Sequence, residues 1–118
     1  MKISTTIRIA GYDYKVIRTE SPFVSGDKPC DGSFNFSEQE IKVSRSGNIN
    51  YQQTVFLHEL THALIEHYCS GAFYNIDDEE QFVEHFSKGL YQLITENPEI
   101  FKGEEFDICR DTSKAKED

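Results

Sequence analysis

The run Gln53-Thr54-Val55-Phe56-Leu57-His58-Glu59-Leu60-Thr61-His62-Ala63-Leu64 decides how this chain is read. Val55, Phe56, Leu60, Ala63, Leu64 and His67 recur at the spacing of one helix face, which predicts a helix over Gln53–Tyr68. Residues four apart on a helix lie one turn above each other. His58 and His62 then offer two imidazoles to one metal ion, while Glu59 projects about 100° around the axis, within reach of a water on that ion. An H-E-x-x-H pentad on a helix implies a zinc-dependent hydrolase, foremost a peptidase, with Glu59 as general base.

Catalytic zinc takes three protein ligands and a water, so a third ligand is needed. The extended pattern H-E-x-x-H-x-x-G-x-x-H requires Gly and His where this chain has Ile65 and Tyr68. The ribonuclease-type pattern H-x-x-x-H-x-x-x-x-x-H also fails at Tyr68. His67, five residues beyond His62, lies about 140° around the helix from it and cannot join the same ion unless the helix breaks early; it is expected on the amphipathic face or in support of the ligands. A carboxylate from a following helix remains. Glu80, at the edge of the apolar stripe Val83, Phe86, Leu90, Leu93 and Ile94, is the first candidate, and Glu84 the second. A plain alternative for Glu80 is a capping box with Asp77, and for Glu84 a solvated helix face. Glu79 is expected to point away. Leu60, Ala63 and Leu64 are expected in the core. Glu84, His85 and Tyr68 are candidates to support the metal ligands or stabilise an oxyanion, together with Tyr74.

Working outward, Thr5–Ala10 and Tyr12–Arg18 alternate β-branched and polar residues around Gly11, which predicts a hairpin or two adjacent antiparallel strands. Glu20–Asp31, with Pro22, Gly26 and Pro29, reads as a loop. Ser33–Phe36 and Glu40–Val43 predict a second hairpin. The first helix is expected to start near Asn50, with Gln53 closing a capping box, and to end at Ser70-Gly71. A second helix is expected from Asn75–Asp78 to about Glu96, stopped by Asn97-Pro98, with one more turn over Pro98–Lys102. Strands first and helices after give an α+β domain: an antiparallel sheet of about four strands, an active-site helix and a second packed helix. One domain is expected over residues 1–111, with a charged, frayed tail over residues 112–118.

Composition narrows the function. The chain has 118 residues and a net charge of −9. Residues 51–118, which hold the pentad, carry fifteen acidic and five basic residues. Such a surface repels phosphate backbones, so nucleic acid is not an expected partner; a protein or peptide substrate is. No apolar run is long enough to span a membrane, and no signal peptide is evident. Three cysteines, Cys30, Cys69 and Cys109, form no C-x-x-C pair, which favours a reducing cytoplasm.

Residues Thr54–Ala63, followed by Glu80-x-x-Val83-x-x-Phe86-x-x-x-Leu90, resemble the ImmA/IrrE-type zinc metallopeptidases, above all the short members carried by phages and prophages. Gly11–Val16, Asp31-Gly32 leading to Gln39–Val43, and Leu90–Ile94 ending at Asn97-Pro98 extend the likeness over about residues 7–101, although only the pentad is specific. The resemblance implies a zincin-like domain and cleavage of a regulatory protein. It also implies zinc held by the two histidines and a glutamate of the next helix, with Glu59 as base. Relatives cut helix-turn-helix repressors, and some of them carry extra domains that are not expected within these 118 residues. A non-catalytic zinc-binding protein that kept the motif, or another zinc hydrolase such as an amidase, is the alternative. The outer edge of the sheet, expected at Ile41–Ser44, is where an extended substrate would pair.

Overall fold

The computed structural model describes residues 1–102: β1 (Thr6–Ile9), β2 (Tyr12–Thr19), β3 (Phe23–Ser25), β4 (Lys28–Cys30), β5 (Gly32–Asn35), β6 (Glu40–Ser44), α1 (Ile49–Tyr68), α2 (Ile76–Glu96) and a 3₁₀ turn over Pro98–Phe101. The tail expected over residues 112–118, and Cys109, lie outside the described residues. The class is α+β, a four-stranded sheet followed by two packed helices. Among the described residues, no helix is long and apolar enough to cross a membrane.

Two expectations about the sheet need correction. It is mixed rather than antiparallel, with strand order β1-β2-β6-β5. β1–β2 and β5–β6 are antiparallel hairpins, but β2 and β6 run parallel, Val16 opposite Ile41 and Arg18 opposite Val43. Residues 20–31 are not simply a loop. They fold into the small antiparallel hairpin β3–β4, turning at Gly26 with φ +67. β5 begins at the end of the sheet where β2 stops and runs back, and the β5–β6 hairpin reverses the chain again, so β6 runs beside β2 in the same direction. Ile41–Ser44 is therefore interior, and the sheet's outer strands are β1 and β5. The β1–β2 turn uses Ala10 and Gly11, both at positive φ, the backbone twist that a two-residue hairpin loop requires.

Alternation along the strands sends Ile9, Tyr14, Val16, Ile41 and Val43 to one face, where they meet Phe56 and Ala63 of α1. This is the core. α1 begins two residues earlier than expected. Asn48, in extended conformation, caps it by accepting the Tyr51 N–H at 2.9 Å. A half-buried polar clamp fixes this end to the sheet. Arg18 donates to the Val43 carbonyl and to Gln52 Oε1, and Gln52 donates to the carbonyls of Arg45 and Gly47. Burial holds the Arg18 guanidinium below its usual pKa. α1 ends at Tyr68, with Gly71 (φ +93) past its end.

α2 is capped by Asn75, which accepts the Asp78 N–H at 2.8 Å, and runs to Glu96 as expected. It buries less than its apolar stripe suggested. Val83 and Ser87 are buried, Leu90 and Ile94 are half-buried, and Phe86 and Leu93 are exposed. One neighbouring helix covers only one stripe, and the small Ser87 side chain permits that approach. Leu64 is likewise exposed rather than core, while Ala63 is fully buried and Leu60 partly so.

Candidate metal centre

His58 and His62 project from the middle of α1 toward the first turns of α2. Their ring centroids are 5.0 Å apart. Glu80 of α2 stands between them, Oε1 at 3.2 Å from His58 Nε2 and Oε2 at 3.2 Å from His62 Nε2. These three residues offer ligand atoms that all lie within 4.8 Å of one another, a group able to hold a metal ion. Ligands bound at 2.0–2.1 Å around a tetrahedral ion sit about 3.3 Å from each other. The imidazole-to-carboxylate separations are close to that edge length, and two nitrogens with one oxygen are a donor set zinc accepts. The residues fit the ion that the sequence implies.

Glu80 is free for this role because Asn75, not Asp77, caps α2. Glu84 sits one turn further on, 3.6 Å from His58 Nδ1, and pairs with Lys88 at 2.8 Å. Lys88 holds the Glu84 carboxyl below its usual pKa. Glu79 does not point away. Its Oε2 lies 2.8 Å from His62 Nδ1. The two imidazoles thus turn their Nε2 atoms inward to Glu80 and their Nδ1 atoms outward to other carboxylates.

Glu59 is 8% exposed, and its carboxyl is pushed up to about 7. Burial is the main cause; Glu80 adds to the shift and His62 opposes it. Gly32 of β5 presses on it. The register puts Gly32 opposite Val43, on the helix-facing side, and a Cβ there would meet Val55 Cγ1 at 2.5 Å and Glu59 Oε2 at 3.0 Å. Only glycine lets the strand lie this close to the glutamate.

Two clefts open on either side of this centre. One, of about 600 Å³, is lined by Asp31, Tyr51, His58, Glu59 and Lys88. The other, of about 410 Å³, is lined by Ser33, Phe34, His62, Glu66 and Ile76. The candidate oxyanion groups fall elsewhere. Tyr68 lies against Ile7–Ala10, His85 beside Phe82 and Phe86, and Tyr74 is almost fully exposed. The phenol in the cleft is Tyr51, whose hydroxyl donates to Asp31 at 2.5 Å. That bond, then burial and the Asp31 charge, push it up to about 12. Tyr51 precedes His58 by seven residues, two turns along the same face, and that spacing is the signal that would have found it.

His67 belongs to another setting. Tyr12 stacks on it at 5.4 Å, Phe36 lies at 5.1 Å, and its Nε2 is 2.6 Å from the Tyr14 hydroxyl. No family model matches the chain, and neither a curated protein nor a solved structure matches it.

Proposed function

We propose that this chain is a zinc-dependent peptidase of the ImmA/IrrE type on a zincin-like plan, with His58, His62 and Glu80 as ligands and Glu59 as general base. The observation that supports it most is the convergence of two Nε2 atoms and one carboxylate beside a buried glutamate. Bound zinc would supply a water acidic near neutral pH and a Lewis acid for the scissile carbonyl. The chain's own residues do the rest. Glu59, a buried carboxyl beside the ligands, takes the proton of the attacking water and returns it to the leaving nitrogen. Burial against Gly32 keeps its carboxylate from swinging into solvent.

The substrate path follows from the sheet. β5 pairs only with β6 within its sheet, and its Gly32 abuts Glu59. An extended peptide adding to the outer edge of β5 would pass from one cleft to the other across that glutamate. On this reading the substrate pairs with Gly32–Asn35, since Ile41–Ser44 is interior. We take the reaction to be cytoplasmic, in keeping with the cysteine usage, and the substrate to be a regulatory protein. A structural zinc site closes its shell with four protein ligands, whereas the group here has three among the described residues. That favours the enzyme over a purely structural zinc protein.

The test is to incubate wild type and Glu59→Gln with host-cell lysate and zinc, and to identify new protein termini by mass spectrometry. Termini that appear only with wild type support the proposal. Identical sets from both proteins, or none from either, reject it.

A further inference from the structure

We infer that Glu79 is a positioning residue: by accepting a hydrogen bond from His62 Nδ1–H, it fixes His62 in the tautomer whose Nε2 faces the cation. The inference rests on the proposed metal site and extends it to a residue outside the ligand set. Two observations carry it. His62 is oriented from both sides, with Nδ1 2.8 Å from Glu79 Oε2 and Nε2 3.2 Å from Glu80 Oε2. The contact is also sheltered, the side chains of His62 and Glu79 being 12% and 23% exposed.

The chemistry follows from the acceptor. Glu79 Oε2 lies 2.8 Å from Nδ1 and Glu80 Oε2 lies 3.2 Å from Nε2, so the closer acceptor favours the ring hydrogen on Nδ1, the arrangement that leaves Nε2 able to ligate. Its Nε2 lone pair is then bare and directed at the space beside Glu80. Carboxylates that hold ligating histidines this way raise their basicity and fix the ring plane. Adjacent residues of α2 thus divide two tasks: Glu80 ligates and Glu79 orients. His58 lacks an equal support. Its Nδ1 is 3.6 Å from Glu84 Oε1, beyond hydrogen-bond length, and Glu84 is engaged by Lys88 at 2.8 Å. The two ligands are therefore held unequally, His62 firmly and His58 loosely.

The experiment compares wild type, Glu79→Ala, Glu79→Gln and Glu84→Ala as full chains. The His62 tautomer is read by nitrogen-15 NMR in the metal-free protein, and zinc affinity by competition with a chelator. In wild type His62 should carry its proton on Nδ1. Glu79→Ala should release it to the Nε2–H form that free side chains favour, and weaken zinc about 10–100-fold. Glu79→Gln, whose amide oxygen still accepts the bond, should recover the Nδ1–H form and part of the affinity. Glu84→Ala should cost less than about tenfold, below that range. An unchanged tautomer and affinity in Glu79→Ala would overturn the inference and leave the metal site standing. A wild type that binds no zinc would remove the metal reading, and the inference with it.

Discussion

His62 and His67 sit on the same helix, five residues apart, and have become different chemical objects. His62 is enclosed by carboxylates, Glu79 on one nitrogen and Glu80 on the other. His67 is enclosed by rings, Tyr12 stacked on its face, Phe36 beside it and the buried Tyr14 hydroxyl on its Nε2. The first environment favours a cation. The second offers His67 no charged partner among the described residues, and it pins the far end of α1 to β2. In Tyr14, burial first and then the charge of Glu66 raise the phenol's pKa, so its proton stays on oxygen, and the hydroxyl is hydrogen-bonded with the ring. An imidazole's role in this fold is decided by what the neighbouring elements bring to it.

The comparison breaks most readily at the base. Glu59→Gln should leave zinc bound yet lower hydrolysis by about 10²–10⁴-fold, the usual contribution of general base catalysis; initial rates and metal content on one preparation decide this. Loss of the metal in that variant would instead give Glu59 a ligand role. Next come the two histidines. His62→Ala should lose stoichiometric zinc. His67→Ala should keep it while losing about 1–3 kcal/mol of stability, because the buried Tyr14 hydroxyl is left unpaired. Zinc content and chemical denaturation on the same two variants separate these outcomes.

A third effect is expected in the metal-free protein as pH changes. Glu59 titrates at about 7 in the fold, against 4.5 when unfolded. Between those values the native state holds more protons than the unfolded one. Its contribution is therefore fully present below about 4.5 and is lost as pH rises through 7, a fall of about 3 kcal/mol. Denaturation midpoints against pH for wild type, minus those of Glu59→Gln, should trace that decline; a flat difference would mean that Glu59 ionises freely. The smallest effect is steric. Gly32→Ala forces a Cβ to 2.5 Å from Val55 Cγ1 and should cost about 1–3 kcal/mol. It should also impair hydrolysis through Glu59, without touching any zinc ligand.

How much of this was legible beforehand follows the range of each interaction. The pentad and its helix were readable because i, i+4 spacing is local, and so were the cap stretch Asn75–Asp78, though not which of its residues caps, and the stop at Asn97-Pro98. The start of α1 was misplaced because Asn48 and Asn50 are equally able caps by type. Gly47 at φ +80 places Asn48 at the turn, with its Oδ1 on the Tyr51 N–H. The parallel pairing of β2 with β6 was hidden, since alternation tells which face a residue takes and not which strand lies beside it. Glu79 was misjudged for the same reason. The rotation of α2 about its axis is set by Val83 and Ser87 packing on α1, which brings Glu79 and Glu80 onto the same pair of histidines. Gly32 gave no warning, because a close approach between strand and helix has no local signature.

The most direct measurement is X-ray absorption at the zinc edge on protein loaded with one equivalent of the metal. Two imidazole nitrogens and carboxylate or water oxygens at about 2.0–2.2 Å are expected, with that imidazole shell lost in His62→Ala, which no longer holds the metal. A sulfur shell near about 2.3 Å, or a spectrum unchanged by that substitution, would contradict a centre built from His58, His62 and Glu80.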